Sequence, residues 1–180
     1  MVKKYELTEY TIIIAGHTLY RIQSLRSFGD VSYGDLGGYI ESESNLSHIG
    51  NCWVYNNAGV YENARISDAA EVCESALVSG DAHVYGNAWL SGAVKVSGDS
   101  IVCGNVQIWG KACINGSAQV SGNITLGGCS CISGNAILDI NPTFKSIFKI
   151  ELNSGIWNRA IYRNTECYLI STTLKKLLMG

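Results

Sequence analysis

The sequence predicts an all-β protein built as a parallel solenoid, and three observations carry that prediction. From Asn45 to Ile140 one six-residue pattern repeats sixteen times without a slip. The fourth position of each unit is Val, Ile or Leu except at His48; the second is mostly small, Ala in nine units, with Cys52, Ser100 and Ser130 among the exceptions. The sixth is Gly in eleven units. Strands of an ordinary sheet alternate with a period of two, whereas a fixed period of six held over this length belongs to a stack of repeats.

The elements follow in chain order. An open β-edge pairs with other chains, so a solenoid needs covers at its ends. Residues 1–44 supply the front cover. Tyr5 to Ile14 and Leu19 to Phe28 read as a β-hairpin turning at Ala15-Gly16-His17, with His17 in solvent. A Gly-rich turn, Gly34-Asp35-Leu36-Gly37-Gly38-Tyr39-Ile40-Glu41, then feeds the first coil.

Within 45–140 each unit gives a short strand with its aliphatic residue inward, followed by a turn of Gly, Asn or Asp. Those residues tolerate left-handed backbone. The second-position residue also points inward near the corner, where a large side chain would clash. His48, in an inward slot, is expected as a hydrogen-bonded core residue. Pro142, the single proline, marks where the coil stops. Residues 141–180 form a small strand and helix cap or an oligomerisation segment. Phe144 to Ile150 and Trp157 to Tyr162 read as strands, and Leu169 to Met179 has helical spacing with Lys175 and Lys176 on its wet side. Folding back as a cap is favoured over pairing with a neighbouring subunit.

The pattern is clearest at Val84-Tyr85-Gly86-Asn87-Ala88 and Val120-Ser121-Gly122-Asn123-Ile124, and here the chain resembles the hexapeptide-repeat superfamily. The resemblance implies a left-handed parallel β-helix with three hexapeptides per coil, an exception to the right-handed rule for parallel crossovers. Sixteen units then make about five coils, a prism on the order of 25 Å long at a strand spacing of roughly 4.8 Å. More narrowly, the N-terminal stretch running directly into repeats is similar to phage and prophage hexapeptide proteins of unassigned role.

Three units per coil stack residues eighteen apart. One outer face then carries Arg65, His83, Ile101, Gln119 and Ile137, with Tyr85 beside His83. The second carries Trp53, Glu71, Trp89, Gln107 and Thr125, with Trp109 beside Gln107. The third carries Gly59, Leu77, Lys95, Cys113 and Cys131. Three tryptophans on one outer face fit a subunit interface or a groove whose aromatic planes stack on a base. Both hold if the groove lies between subunits, as the resemblance to trimeric hexapeptide proteins implies. Cys113 and Cys131 read as small residues on a strand face, because a tetrahedral metal site wants four ligands.

Composition narrows the function classes. A net charge of −2 gives no support to broad nucleic-acid binding. The first residues lack an apolar signal core, and no run reaches transmembrane length. Seven cysteines, an odd count, suit free thiols in a reducing cytoplasm, which is the host cytoplasm if the protein is phage-encoded. No cofactor and no metal are expected.

The leading expectation is a non-enzymatic homotrimeric binding protein of phage type that sequesters a small host nucleotide signal in grooves between subunits. The candidate ligand-binding residues are Trp53, Arg65, His83, Tyr85, Trp89, Trp109, Arg159 and Arg163; outward aromatics would stack on the base, and basic residues among Arg65, Lys95, Arg159 and Arg163 would meet the phosphates. The alternative, implied by the resemblance, is an acyl-CoA-dependent acyltransferase with His83 as general base on an acceptor. Against it, the coil carries no inserted loop, and no carboxylate column flanks His83. A Ser–His–Asp triad cannot be assembled from the columns. A rigid spacer ranks third.

Overall fold

The short strands of the repeat region follow directly from its spacing. The computed structural model describes residues 2–140 and the backbone of the later strands Phe148–Glu151, Gly155–Ile156, Ile161–Arg163 and Glu166–Tyr168. From Trp53–Val54 to Cys113–Ile114 a two-residue strand begins every six residues. Each pairs in parallel with the strand eighteen residues on: Trp53 with Glu71, Arg65 with His83, Gly59 with Leu77. Three sheets result, one per face, and the parallel coils stack into a β-solenoid of roughly five to six turns.

The core is a pair of columns inside this stack. Fourth-position residues such as Val54, Val72, Leu90, Ile108 and Leu126 have no exposed surface, and neither do second-position residues such as Ala58, Ala70 and Ala82. Each such aliphatic side chain contributes about 1.5–3 kcal/mol when removed from water. His48 stacks on the Tyr5 ring at 4.4 Å, and its Nδ1 accepts a hydrogen bond from the Lys4 amide at 3.2 Å.

Two expectations about the ends are revised. At the front, strands β1 (Tyr5–Ile14) and β2 (His17–Ser24) form the hairpin, but the Gly-rich stretch is a strand, β3 (Leu36–Ile40), not a turn. It pairs antiparallel with β2 and parallel with Gly59–Val60, so it converts hairpin into coil. Its glycines answer to crowding: a Cβ at Gly37 would lie 2.6 Å from Ile22 Cγ1, and one at Gly38 2.6 Å from the Ala58 carbonyl. His17 is the first residue of β2 and half-buried. Its Nδ1 lies 3.0 Å from Glu41 Oε1 and its Nε2 3.6 Å from Glu62 Oε1, because the hairpin folds over the acidic corners of the coil.

At the back, the ladders do not stop at Pro142. Phe148–Glu151, Gly155–Ile156 and Ile161–Arg163 each extend one of the three sheets in parallel, aligning Ile150 with Leu126, Ile156 with Ile132 and Tyr162 with Leu138. The offset there is twenty-four residues, one hexapeptide longer than elsewhere. The sequence hid this turn because it lacks the small-residue and glycine signature. Glu166–Tyr168 then pairs antiparallel with Ile161–Arg163. The expected helix at Leu169 to Met179 lies outside the described residues, as do Pro142 and Arg159. Among the described residues no helix is long and apolar enough to cross a membrane.

Candidate ligand groove and histidine cluster

The eighteen-residue stacking places the expected columns on three faces, but the cap decides which members meet solvent. Trp53 is 1% exposed. Phe28 stands edge-on to its ring at 5.4 Å and Tyr5 at 6.0 Å. Trp53 is therefore the anchor of the cap rather than an open stacking platform, because the hairpin and the Phe28 loop lie over the first turn.

The same loop builds a groove one turn further on. The Phe28 and Val31 amides and carbonyls bond reciprocally at 2.9 Å, making a tight turn that carries Gly29 and Asp30. Gly29 has φ of +49°, a left-handed conformation that glycine adopts freely. Together with Asn51, Tyr55, Ala69, Glu71, Asn87, Ala88, Trp89 and Gln107, this turn encloses a groove of about 630 Å³. Trp89 pairs directly with Glu71 on one side and Gln107 on the other, so an aromatic plane, a carboxylate and an amide share one column.

Electrostatics mark this groove. Burial, reinforced by the Asp30 charge, raises the Glu71 carboxyl above its ordinary value. Burial, with the Glu71 charge next, pushes the Tyr55 phenol up to about 12. Two carboxylates facing one partly dry space favour a ligand that brings N–H donors or positive charge. Trp89 offers such a ligand a flat surface.

The second site lies on another face. Arg65 and His83 are register partners, and the His83 and Tyr85 rings sit 4.8 Å apart. The expected Arg65–His83–Tyr85 cluster therefore assembles. His83 Nε2 also lies 3.2 Å from Ser67 Oγ, a diagonal cross-strand neighbour. Burial, then the adjacent Arg65 charge, lowers the His83 pKa; the Asp68 carboxylate opposes them weakly. Arg65, His83, Asn63, Asp81 and Ala82 line a recess of about 370 Å³. No carboxylate shares the outward columns beside His83, as expected, but carboxylates approach it from the corners. Asp68 and Asp81 occupy turns, which the columns of outward strand residues left out.

The remaining expected residues do not join either group. Trp109 is 39% exposed, and its ring lies so close to Gly127 that a Cβ there would be 2.5 Å from Trp109 Cζ2. Arg163 is in the same sheet as Arg65 but on the strand three beyond Ile101–Val102, towards the C-terminal end. Sequence reasoning missed Asp30 and Tyr55 as groove residues. Tyr55 was legible as a fifth-position side chain one turn before Cys73, whereas Asp30 sits in a loop with no periodicity to place it. No protein-family model matches this chain, and no curated protein matches it.

Proposed function

We propose that this protein is a non-enzymatic binding protein whose ligand is a nucleotide, with the base held in the Trp89 groove. The observation that carries this reading is the groove itself: an aromatic plane beside two carboxylates under the Gly29–Asp30 turn. A nucleobase stacked on Trp89 gains about 1–3 kcal/mol. Its amino and ring N–H groups would donate to Glu71 and Asp30, the way base edges are read in pockets.

No Arg or Lys lines the groove, so the phosphates would be met by basic side chains of another copy. That requirement is the physical case for a homotrimer with grooves between subunits. Retention of a nucleotide signal in a phage-infected host is the role such a sponge would fill.

Titration with guanosine monophosphate and adenosine monophosphate, followed by tryptophan fluorescence and calorimetry, tests the reading. Binding that weakens at least fivefold in Trp89→Ala is the expected result. Affinity unchanged by that substitution, or no binding by the assembled protein, overturns it.

A second reading rests on His83. Its lowered pKa leaves the imidazole neutral near pH 7, and its Nε2 already faces a hydroxyl. That is the state a general base needs to take a proton from an acyl acceptor. The acyl-CoA-dependent transferase reading expects thiol release from acetyl-CoA with an added acceptor, lost in His83→Ala.

A further inference from the structure

Lys4 and Cys52 form the least conventional contact in the protein. Both are 0% exposed. Lys4 Nζ lies 2.8 Å from the Cys52 carbonyl, 3.2 Å from Cys52 Sγ, 3.5 Å from the Gly50 carbonyl and 5.1 Å from the centre of the Phe28 ring. None of these partners is a carboxylate. An ammonium kept from water without a carboxylate partner is disfavoured relative to its solvated state. Burial accordingly lowers the Lys4 pKa and raises that of Cys52, each partly offset by the other.

Cys52 fills a second-position slot that holds Ala in nine units and larger aliphatic residues at Leu46, Val94, Val106 and Ile124. Its sulfur is held in place, within 3.5 Å of the Ser47 carbonyl and 3.7 Å of the Ile66 carbonyl. A fixed thiol and an amine therefore face each other in a dry site. The separation of 3.2 Å is that of a hydrogen bond between the two groups, so nitrogen and sulfur must approach further for one atom to bridge them.

We propose that Lys4 and Cys52 are a covalent modification site, in which dioxygen links them through an Nζ–O–Sγ bridge. One oxygen atom enters between nitrogen and sulfur. The other leaves as water, taking the thiol hydrogen and one amine hydrogen. Nitrogen and sulfur each give up two electrons, and these four reduce the dioxygen. Thiol reductants, themselves oxidised to disulfides, supply the four electrons that return lysine and cysteine and release the bridging oxygen as water. The bridge ties the start of β1 to the first turn of the coil, so it locks the cap under oxidising conditions by closing a loop in the unfolded chain.

The test is intact mass and peptide mapping of the full chain after exposure to air, with and without a thiol reductant. The expected product gains one oxygen and loses two hydrogens. It maps to linked peptides containing Lys4 and Cys52, vanishes on reduction, and unfolds at a higher temperature than the reduced protein. Cys52→Ala, which restores the residue common at this slot, and Lys4→Met should both lack the product. Unlinked peptides after air exposure overturn the proposal. So does oxygen carried by Cys52 alone as a sulfenic acid, or a product lacking the added oxygen, as in a direct S–N bond.

Discussion

The first turns of the solenoid and the later ones share one strand spacing but make their corners differently. After Gly50 opens the series, the left-handed corner of the next four units is held by Asn56, Glu62, Asp68 and Glu74, with φ between 55° and 61°. From Gly80 to Gly134 glycine holds it. A side chain in that conformation costs roughly 1–2 kcal/mol, and the early corners recover part of this through their carboxylates. Glu62 accepts from the Gly80 amide, and Asp68 accepts from the Gly86 amide at 3.1 Å. The later corners are packed backbone to backbone: a Cβ at Gly98 would lie 2.5 Å from the Gly116 carbonyl. Early corners therefore carry charge and meet the cap, while later corners carry only the stack.

Tryptophan divides along the same line. Trp53 and Trp89 sit in one column, two turns apart, yet the first is sealed by the cap and the second is half-buried beside a groove. Replacing Trp53 by Ala should produce the largest stability loss, about 3–5 kcal/mol as for other buried aromatics. Trp89→Ala should cost less than half as much while losing ligand. Urea unfolding of the two variants checks the contrast, and equal losses would erase it.

Gly98→Ala comes next. The left-handed backbone and the close Gly116 carbonyl together predict a loss of about 2 kcal/mol or more, read as a lower denaturation midpoint. The matching change in the early region, Asp68→Gly, should move stability by less than about 1 kcal/mol. It relieves the backbone but forfeits the amide contact.

The cap's own contact is pH-dependent. The Glu41 hydrogen bond raises the His17 pKa, and the same bond lowers that of Glu41. The His17 contribution is complete below its unfolded value of 6.5 and is lost as pH rises through the higher folded value. The Glu41 contribution is complete above 4.5 and is lost as pH falls through its lowered value. Their joint effect is greatest between about pH 4.5 and 6.5. Melting temperature should therefore fall from pH 6 to pH 8 more steeply in the wild type than in His17→Gln. This is the smallest effect, since both side chains are still about a third exposed and screened by solvent.

Much of this architecture could be read directly. The period of six set strand positions and the inward aliphatic column, because both depend only on local spacing; the register that brings Arg65 beside His83 followed from three units per coil, which the resemblance to hexapeptide-repeat proteins implied. The extra C-terminal turn escaped, since its strands lack the glycine signature. Ser67 and Asp68 beside His83 escaped as well, because diagonal and corner neighbours are not columns.

By itself, then, the sequence determined a stacked coil of six-residue units with an inward aliphatic column; the sorting of outward residues onto three faces needed the three-unit coil that the family resemblance implied. Periodicity is a local property, and hydrophobic burial enforces it at every rung. Only the tertiary structure decided that Trp53 is core, that Asp30 closes a groove over Glu71 and Trp89, and that Lys4 meets Cys52. Each of those contacts joins the aperiodic cap to the coil across at least twenty residues of sequence, where no repeat relates one partner to the other.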